Sequence, residues 1–172
     1  QLISCLPCRA SSPAYPAGRQ ALPTLQGVKS VSYGAGDTGQ FWWYDMARGW
    51  GAALGESGTG VAAVVDFRKL MCFYQYMSGE VAGLEWAYRS EIIPHGEQTE
   101  TTVWLVPFAG LSAVSGASVE VVGEVEAPDQ VSLQQATDGV PVIVRLAAPQ
   151  KWSPRLRASW QRVPDQQVHE AA

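Results

Sequence analysis

Charge is scarce in this sequence, and so are histidine and cysteine. Of its 172 residues only 16% are charged, against roughly 25% in ordinary soluble domains. The 12 Lys and Arg do not balance the 16 Asp and Glu, which leaves a formal net charge of −4. Nucleic-acid binding, which needs a concentrated basic field, is therefore not expected. The basic stretch "KWSPRLRASWQR" is local and reads as a solvated face. The longest apolar run, "GVAAVVDF", is far too short to cross a bilayer, so no membrane span is expected.

The few residues that usually carry chemistry are scattered. His95 sits in the turn-like "IPHGEQ" and His169 in the final residues, so no Ser/His/Asp arrangement assembles from the pattern. Cys5 and Cys8 form a C-x-x-C within a Pro-, Ser- and Ala-rich lead-in that lacks the strand–helix–strand context of a redox motif. Cys72, His95 and His169 are isolated and do not complete a zinc site. Spacing alone leaves open whether Cys5 and Cys8 pair. Cys72 lies in an apolar strand pattern and reads as a buried structural thiol. Paired carboxylates for glycoside hydrolysis would have to come from Asp45 or Asp66 with Glu85, and no motif marks them. No metal, no cofactor and no catalytic centre is expected.

A hydrophobic fraction of 47% is ample for a core, and its arrangement points to strands. From Val28 onward, "VKSVSY", "QFWWYDM", "WGAAL", "GVAAVVDF", "LMCFYQYM", "VAGLEWAYR" and "TETTVWLVPF" are short runs rich in β-branched and aromatic residues. Glycine-rich punctuation separates them, and "GESGTG" suits a hairpin. The expected fold class is all-β, an antiparallel β-sandwich. Residues 1–27, with four prolines and no periodicity, read as a linker or the tail of a preceding segment. Residues 28–112 read as a sandwich fragment, 118–162 as a partial second β-module, and 163–172 as a disordered tail. The opening "QLISCLPC" has no basic region before an apolar core, so it does not read as a signal peptide. The chain is expected to be a fragment or processed piece of a longer protein, partnered by neighbouring domains of that protein.

"SYGAGDTGQFWW" holds a G-x-G-x-x-G at Gly34, Gly36 and Gly39. In a dinucleotide fold the third glycine opens a helix that receives the pyrophosphate. Here four consecutive aromatics follow, and Gly49 and Gly51 would weaken any helix by about 1 kcal/mol each. Asp66, the acid that would meet the ribose, lies 30 residues past Gly36 where about 20 is usual. The glycines are expected to form a bend between strands. A nucleotide-dependent oxidoreductase is retained only as a competing reading, one that needs a helix from Gly39.

Aromatic residues crowd the stretch from Phe41 to Trp104. Strand alternation puts Phe41, Trp43 and Asp45 on one face and Trp42, Tyr44 and Met46 on the other. In "VAGLEWAYR" it separates Glu85 and Arg89 from Leu84, Trp86 and Tyr88, which are expected in the core. A surface that combines Trp43 with Asp45, Gln75, Glu85 and Arg89 would suit a carbohydrate. An aromatic ring stacks on the apolar face of a sugar, and charged groups hold its hydroxyls. The expectation is that Trp43 and Glu85 share one partly exposed face.

The stretch "GLEWAYRSEIIPHGEQTETTVWLVPFAGL", with "GWGAALGESGTGVAAVVDF" upstream, resembles the supersandwich domains of the galactose-mutarotase-like superfamily over about residues 40–112. The resemblance implies a non-catalytic, carbohydrate-related all-β domain of a larger protein, extracellular or in the cell envelope. None of the family's catalytic residues can be matched here. It also implies that "VEVVGEVEAPDQVSL" and "PVIVRLAAP" belong to an immunoglobulin-like accessory module. A structural or interaction module of an envelope or adhesin-type protein is the other reading.

Overall fold

The structure, a computed structural model, describes residues 3–9, 17–78, 81–128, 134 and 139–148. The fold is all-β. Among the described residues, twelve strands run in chain order as β1 (Ile3–Arg9), β2 (Gly18–Thr24), β3 (Gly27–Tyr33), β4 (Thr38–Trp43), β5 (Trp50–Gly55), β6 (Thr59–Val65), β7 (Leu70–Ser78), β8 (Val81–Tyr88), β9 (Val103–Ala109), β10 (Gly116–Ala117), β11 (Val122–Glu126) and β12 (Ile143–Ala147). They form three antiparallel sheets: β1-β8-β7-β4, β3-β2-β5-β6-β9 and β10-β11-β12.

The five-stranded sheet is the middle layer, and its sequence shows why. Every residue of β5, "WGAALG", is buried, which a half-exposed strand with alternating polarity cannot achieve. Trp50, Ala52 and Leu54 face a core shared with Ala62, Val106, Phe108 and Val122, beneath the three-stranded sheet. The opposite face carries Leu22, Ala63 and Val65 into a second core with Phe73, Leu84 and Trp86 of the four-stranded sheet. A Cβ at Gly51 would come within 2.9 Å of both Leu22 Cδ2 and Phe73 Cε1. That glycine is there for space. Strands β10 to β12 therefore share a core with the central sheet through Val122, Ala117 and Ala147.

Residues 1–27 differ from the linker expected there. They supply β1, which pairs with β8, and β2, which lies between β3 and β5. Strand β2 escapes a periodicity reading because both its faces are covered, with Gln20 and Thr24 buried beside Ala21 and Leu22. Pro23 adds to the disguise, yet its ladder with β5 has already ended at Ala21. Beyond that point the Pro23 carbonyl accepts a bond from the Ala47 amide at 2.8 Å. Cys5 and Cys8 stand three residues apart in extended β1. Their α-carbons are thus about 10 Å apart, beyond the reach of a disulfide. The tail 163–172 lies outside the described residues.

Glycines 34, 36 and 39 make a corner between sheets. The chain leaves β3 in the central sheet and enters β4 in the outer one. The turn closes with Asp37 N donating to the Gly34 carbonyl at 3.2 Å and Gly34 N to Asp37 Oδ2 at 2.7 Å. Gly36 takes a φ of 93°, a conformation that L side chains resist. Gly39 and Gln40 continue as strand, and no helix occurs in residues 17–78 or 81–128. The dinucleotide reading is overturned by this. Its would-be ribose acid, Asp66, instead shapes the turn into β7, accepting from the Arg68 amide and side chain. Hydrogen bonding from Arg68 holds the Asp66 carboxyl below its usual range.

One acid ties the third layer down. Glu124 is 4% exposed and accepts from Ser112 N at 2.8 Å, Ser112 Oγ at 2.6 Å and Arg145 Nη1 at 3.0 Å. Burial alone raises its pKa, but the bonds from Ser112, the Ala113 amide and the Arg145 charge outweigh it, and the net shift is downward.

Two expected outcomes follow from this packing. Gly51→Ala should lose about 1–3 kcal/mol in urea unfolding, because the core cannot make room for the methyl group. The Glu124 contribution is fully present above its unfolded value of about 4.3 and disappears as pH falls through the lowered native value. Unfolding midpoints should therefore drop in that acid range in the native chain and fall less in Glu124→Gln.

Candidate functional site

The outer face of the four-stranded sheet carries an aromatic array. Register pairs Gln40 with Tyr76, Trp42 with Tyr74, and Tyr74 with Glu85, so these side chains share one face. Their neighbours Phe73, Gln75, Leu84 and Trp86 are buried on the inner face. Trp42 lies 4.2 Å from Tyr74 between ring centroids, tilted by 30°. Tyr44 continues the row at 6.2 Å from Trp42 with planes 14° apart, and Tyr76 extends it at 6.3 Å from Tyr74. Four rings thus run obliquely across two strands.

Exposure makes this row unusual. Trp42 is 45% exposed and Tyr44 62%, while Tyr74 and Tyr76 are half-buried by their neighbours. Scattered exposed apolar residues need no explanation, but a contiguous aromatic patch marks a contact surface. Glu85, also half-buried, supplies a carboxylate at the edge of the row. Its Oε1 lies over Gly83, 3.7 Å from where a Cβ would stand, and Tyr76 flanks the same glycine. Burial raises the Tyr74 hydroxyl pKa, and the Glu85 charge adds to the effect.

The five residues singled out from sequence do not form one surface. Trp43 packs against the inner core, and its Nε1 donates to Oε1 of the wholly buried Gln75 at 2.7 Å. Glu85 is on the other face, so the expected pairing of Trp43 with Glu85 is not what the register produces. Asp45 follows β4 in an exposed crossover, where its carbonyl accepts from the Leu25 amide. Arg89 lies just past β8 and turns its Nε to the Leu70 carbonyl at 3.2 Å. Of the five, Glu85 alone belongs to the aromatic face. Trp42, Tyr44, Tyr74 and Tyr76 were missed as ligand candidates, although tyrosines alternating with Phe73 and Met77 along β7 signal an amphipathic outer face.

No group of three or more His, Cys, Asp or Glu able to hold a metal occurs among the described residues. Burial pushes the Cys72 thiol pKa up, away from the thiolate that a nucleophile requires. His95 is exposed in its turn, and His169 lies outside the described residues. No helix among the described residues is long and apolar enough to cross a membrane.

The inward tryptophan yields a stability test. Trp43→Phe keeps the ring but leaves the Gln75 carbonyl buried without its donor, so thermal or urea unfolding should show a loss of about 1–3 kcal/mol. The same substitution at Trp42 should stay within about 0.5 kcal/mol, as expected of a surface position. Comparison with known protein families, with curated proteins and with solved structures finds no match to this chain.

Proposed function

We propose that the chain is a carbohydrate-recognition domain whose binding surface is the outer face of the four-stranded sheet. The observation that carries this reading is the exposed row Tyr44–Trp42–Tyr74–Tyr76 with Glu85 beside it. Pyranose rings present apolar C–H faces, which stack on aromatic rings, and hydroxyl edges, which suit Glu85, Gln40 and the tyrosine hydroxyls. Successive planes are tilted by 14°, 30° and 31°. A twisted single glycan chain fits such a row better than a flat crystalline surface does. The likeness of residues 40–112 to carbohydrate-related supersandwich domains points the same way. On this reading the domain holds a glycan for a larger carbohydrate-active protein and performs no chemistry itself.

A second reading, a structural or interaction module of an envelope or adhesin-type protein, draws on the same exposed rings as a protein contact. Affinity electrophoresis in gels containing soluble polysaccharides, with a glycan array to select them, separates the two. The proposal expects retardation by at least one polysaccharide. Trp42→Ala and Tyr74→Ala should each weaken it by about tenfold, the scale of one lost aromatic contact, with unfolding midpoints little changed. Absence of binding to every glycan, or binding indifferent to both substitutions, would exclude this surface as a sugar site.

A further inference from the structure

A second feature stands apart from the aromatic face, at the end of the central sheet where β2 begins and β3 and β5 finish. A cavity of about 580 Å³ opens there between the central and three-stranded sheets, lined by Arg19, Ser32, Tyr33, Glu56, Ser112 and Arg145 among others. That volume is in the range of small-molecule sites.

Strand register explains what points into it. Arg19 lies opposite Ser32 on β3 and Leu54 on β5, and Leu54 and Ala21 belong to the core beneath the three-stranded sheet. Arg19 therefore projects toward that same interlayer gap. From the other side, Ala147 of β12 packs against this core, so Arg145, two residues away, projects inward too. The apolar core between the layers thus ends in two guanidinium groups that approach from different sheets.

The two are treated very differently. Arg145 is fixed by Glu124 at 3.0 Å and Glu126 at 3.1 Å. Arg19 makes no ion pair and no side-chain hydrogen bond among the described residues. Arg19 is exposed and lines the cavity, so its guanidinium is open to an incoming anion. Ser32, Ser57 and Ser112 place hydroxyls among the lining residues. At the rim, the exposed Glu56 is an acceptor for hydroxyl groups and disfavours a ligand that is anionic throughout.

We infer that this cavity binds a sugar acid, a small polyhydroxylated molecule with a single carboxylate. The carboxylate sits on the Arg19 guanidinium, whose fork of donors matches it. The ligand's hydroxyls meet the serine and Glu56 oxygens. This site is independent of the aromatic face and stands or falls separately.

The test is a titration of the full chain with glucuronate, followed by amide chemical shifts, with glucose and acetate as controls. The expected result is a saturable shift at Gly18, Gly58 and Ser112 for glucuronate and no saturation for glucose. Arg19→Gln should weaken glucuronate binding by about tenfold, as loss of one charge-assisted contact would. Arg19→Lys should fall between the two. Trp42→Ala should leave the titration unchanged, so a failure of the aromatic-face proposal would not be mistaken for a failure here. No saturable response to glucuronate would overturn the inference, as would a response that Arg19→Gln does not alter. Equal binding of acetate would reduce the cavity to a bare anion site and overturn the sugar-acid assignment.

Discussion

A sheet covered on both faces has little room for side chains, and that constraint organises this protein. The central strands β5 and β6 meet it with Gly51, Ala52, Ala53, Ala62 and Ala63, all buried. Larger groups enter from the outer layers, Phe73 and Leu84 from one side and Val122 from the other. Interiors are packed as densely as organic crystals, so this large-against-small complementarity leaves little latitude. With few charges in the chain, stability rests on such contacts and on a small number of buried polar anchors. Gln75 holding Trp43 and Glu124 holding Ser112 with Arg145 are the clearest.

The same constraint determines which surfaces remain for function. The central strands β2, β5 and β6 present no free face, so recognition must use an outer face, an edge strand or a strand end. The four-stranded sheet satisfies its inner face with Phe73, Leu84 and Trp86 and leaves its outer face to Trp42, Tyr74 and Tyr76. At the strand ends the layers separate, and the core between the central and third sheets becomes polar at Arg19 and Arg145. Two differently built surfaces thus arise from one architecture, an elongated aromatic row and an open cavity between the layers.

Much of this was legible in the sequence. Short aromatic and β-branched runs after Val28 correspond to β3 through β9, and the poor helical character after Gly39 argued against the dinucleotide turn that the structure then rules out. Strand β2 was hidden because burial on both faces removes alternation and because Gln20, Pro23 and Thr24 do not look like a core. The face of β4 was ambiguous for a simpler reason. Alternation sorts Phe41 and Trp43 from Trp42 and Tyr44 without saying which set meets the core, and both sets are aromatic. Gln75 misled further, since its polarity suggested solvent while its actual role is to receive the Trp43 indole. Only the pairing of β4 with β7 resolves the matter. The cavity was illegible because Arg19 and Arg145 are 126 residues apart and come to line one cavity only through the layering.

The central claim is that Trp42, Tyr44, Tyr74 and Tyr76 form one solvent-facing ligand surface, and hydroxyl-radical footprinting addresses it most directly. In the free protein, Trp42 and Tyr44 should oxidise readily while the core residues Trp50 and Trp86 stay protected. Adding a polysaccharide that binds should shield the four-ring row and leave Trp104, which is exposed on another sheet, unchanged. Protection of Trp42 in the free protein, or a bound glycan that shields Trp104 and not the row, would contradict the account.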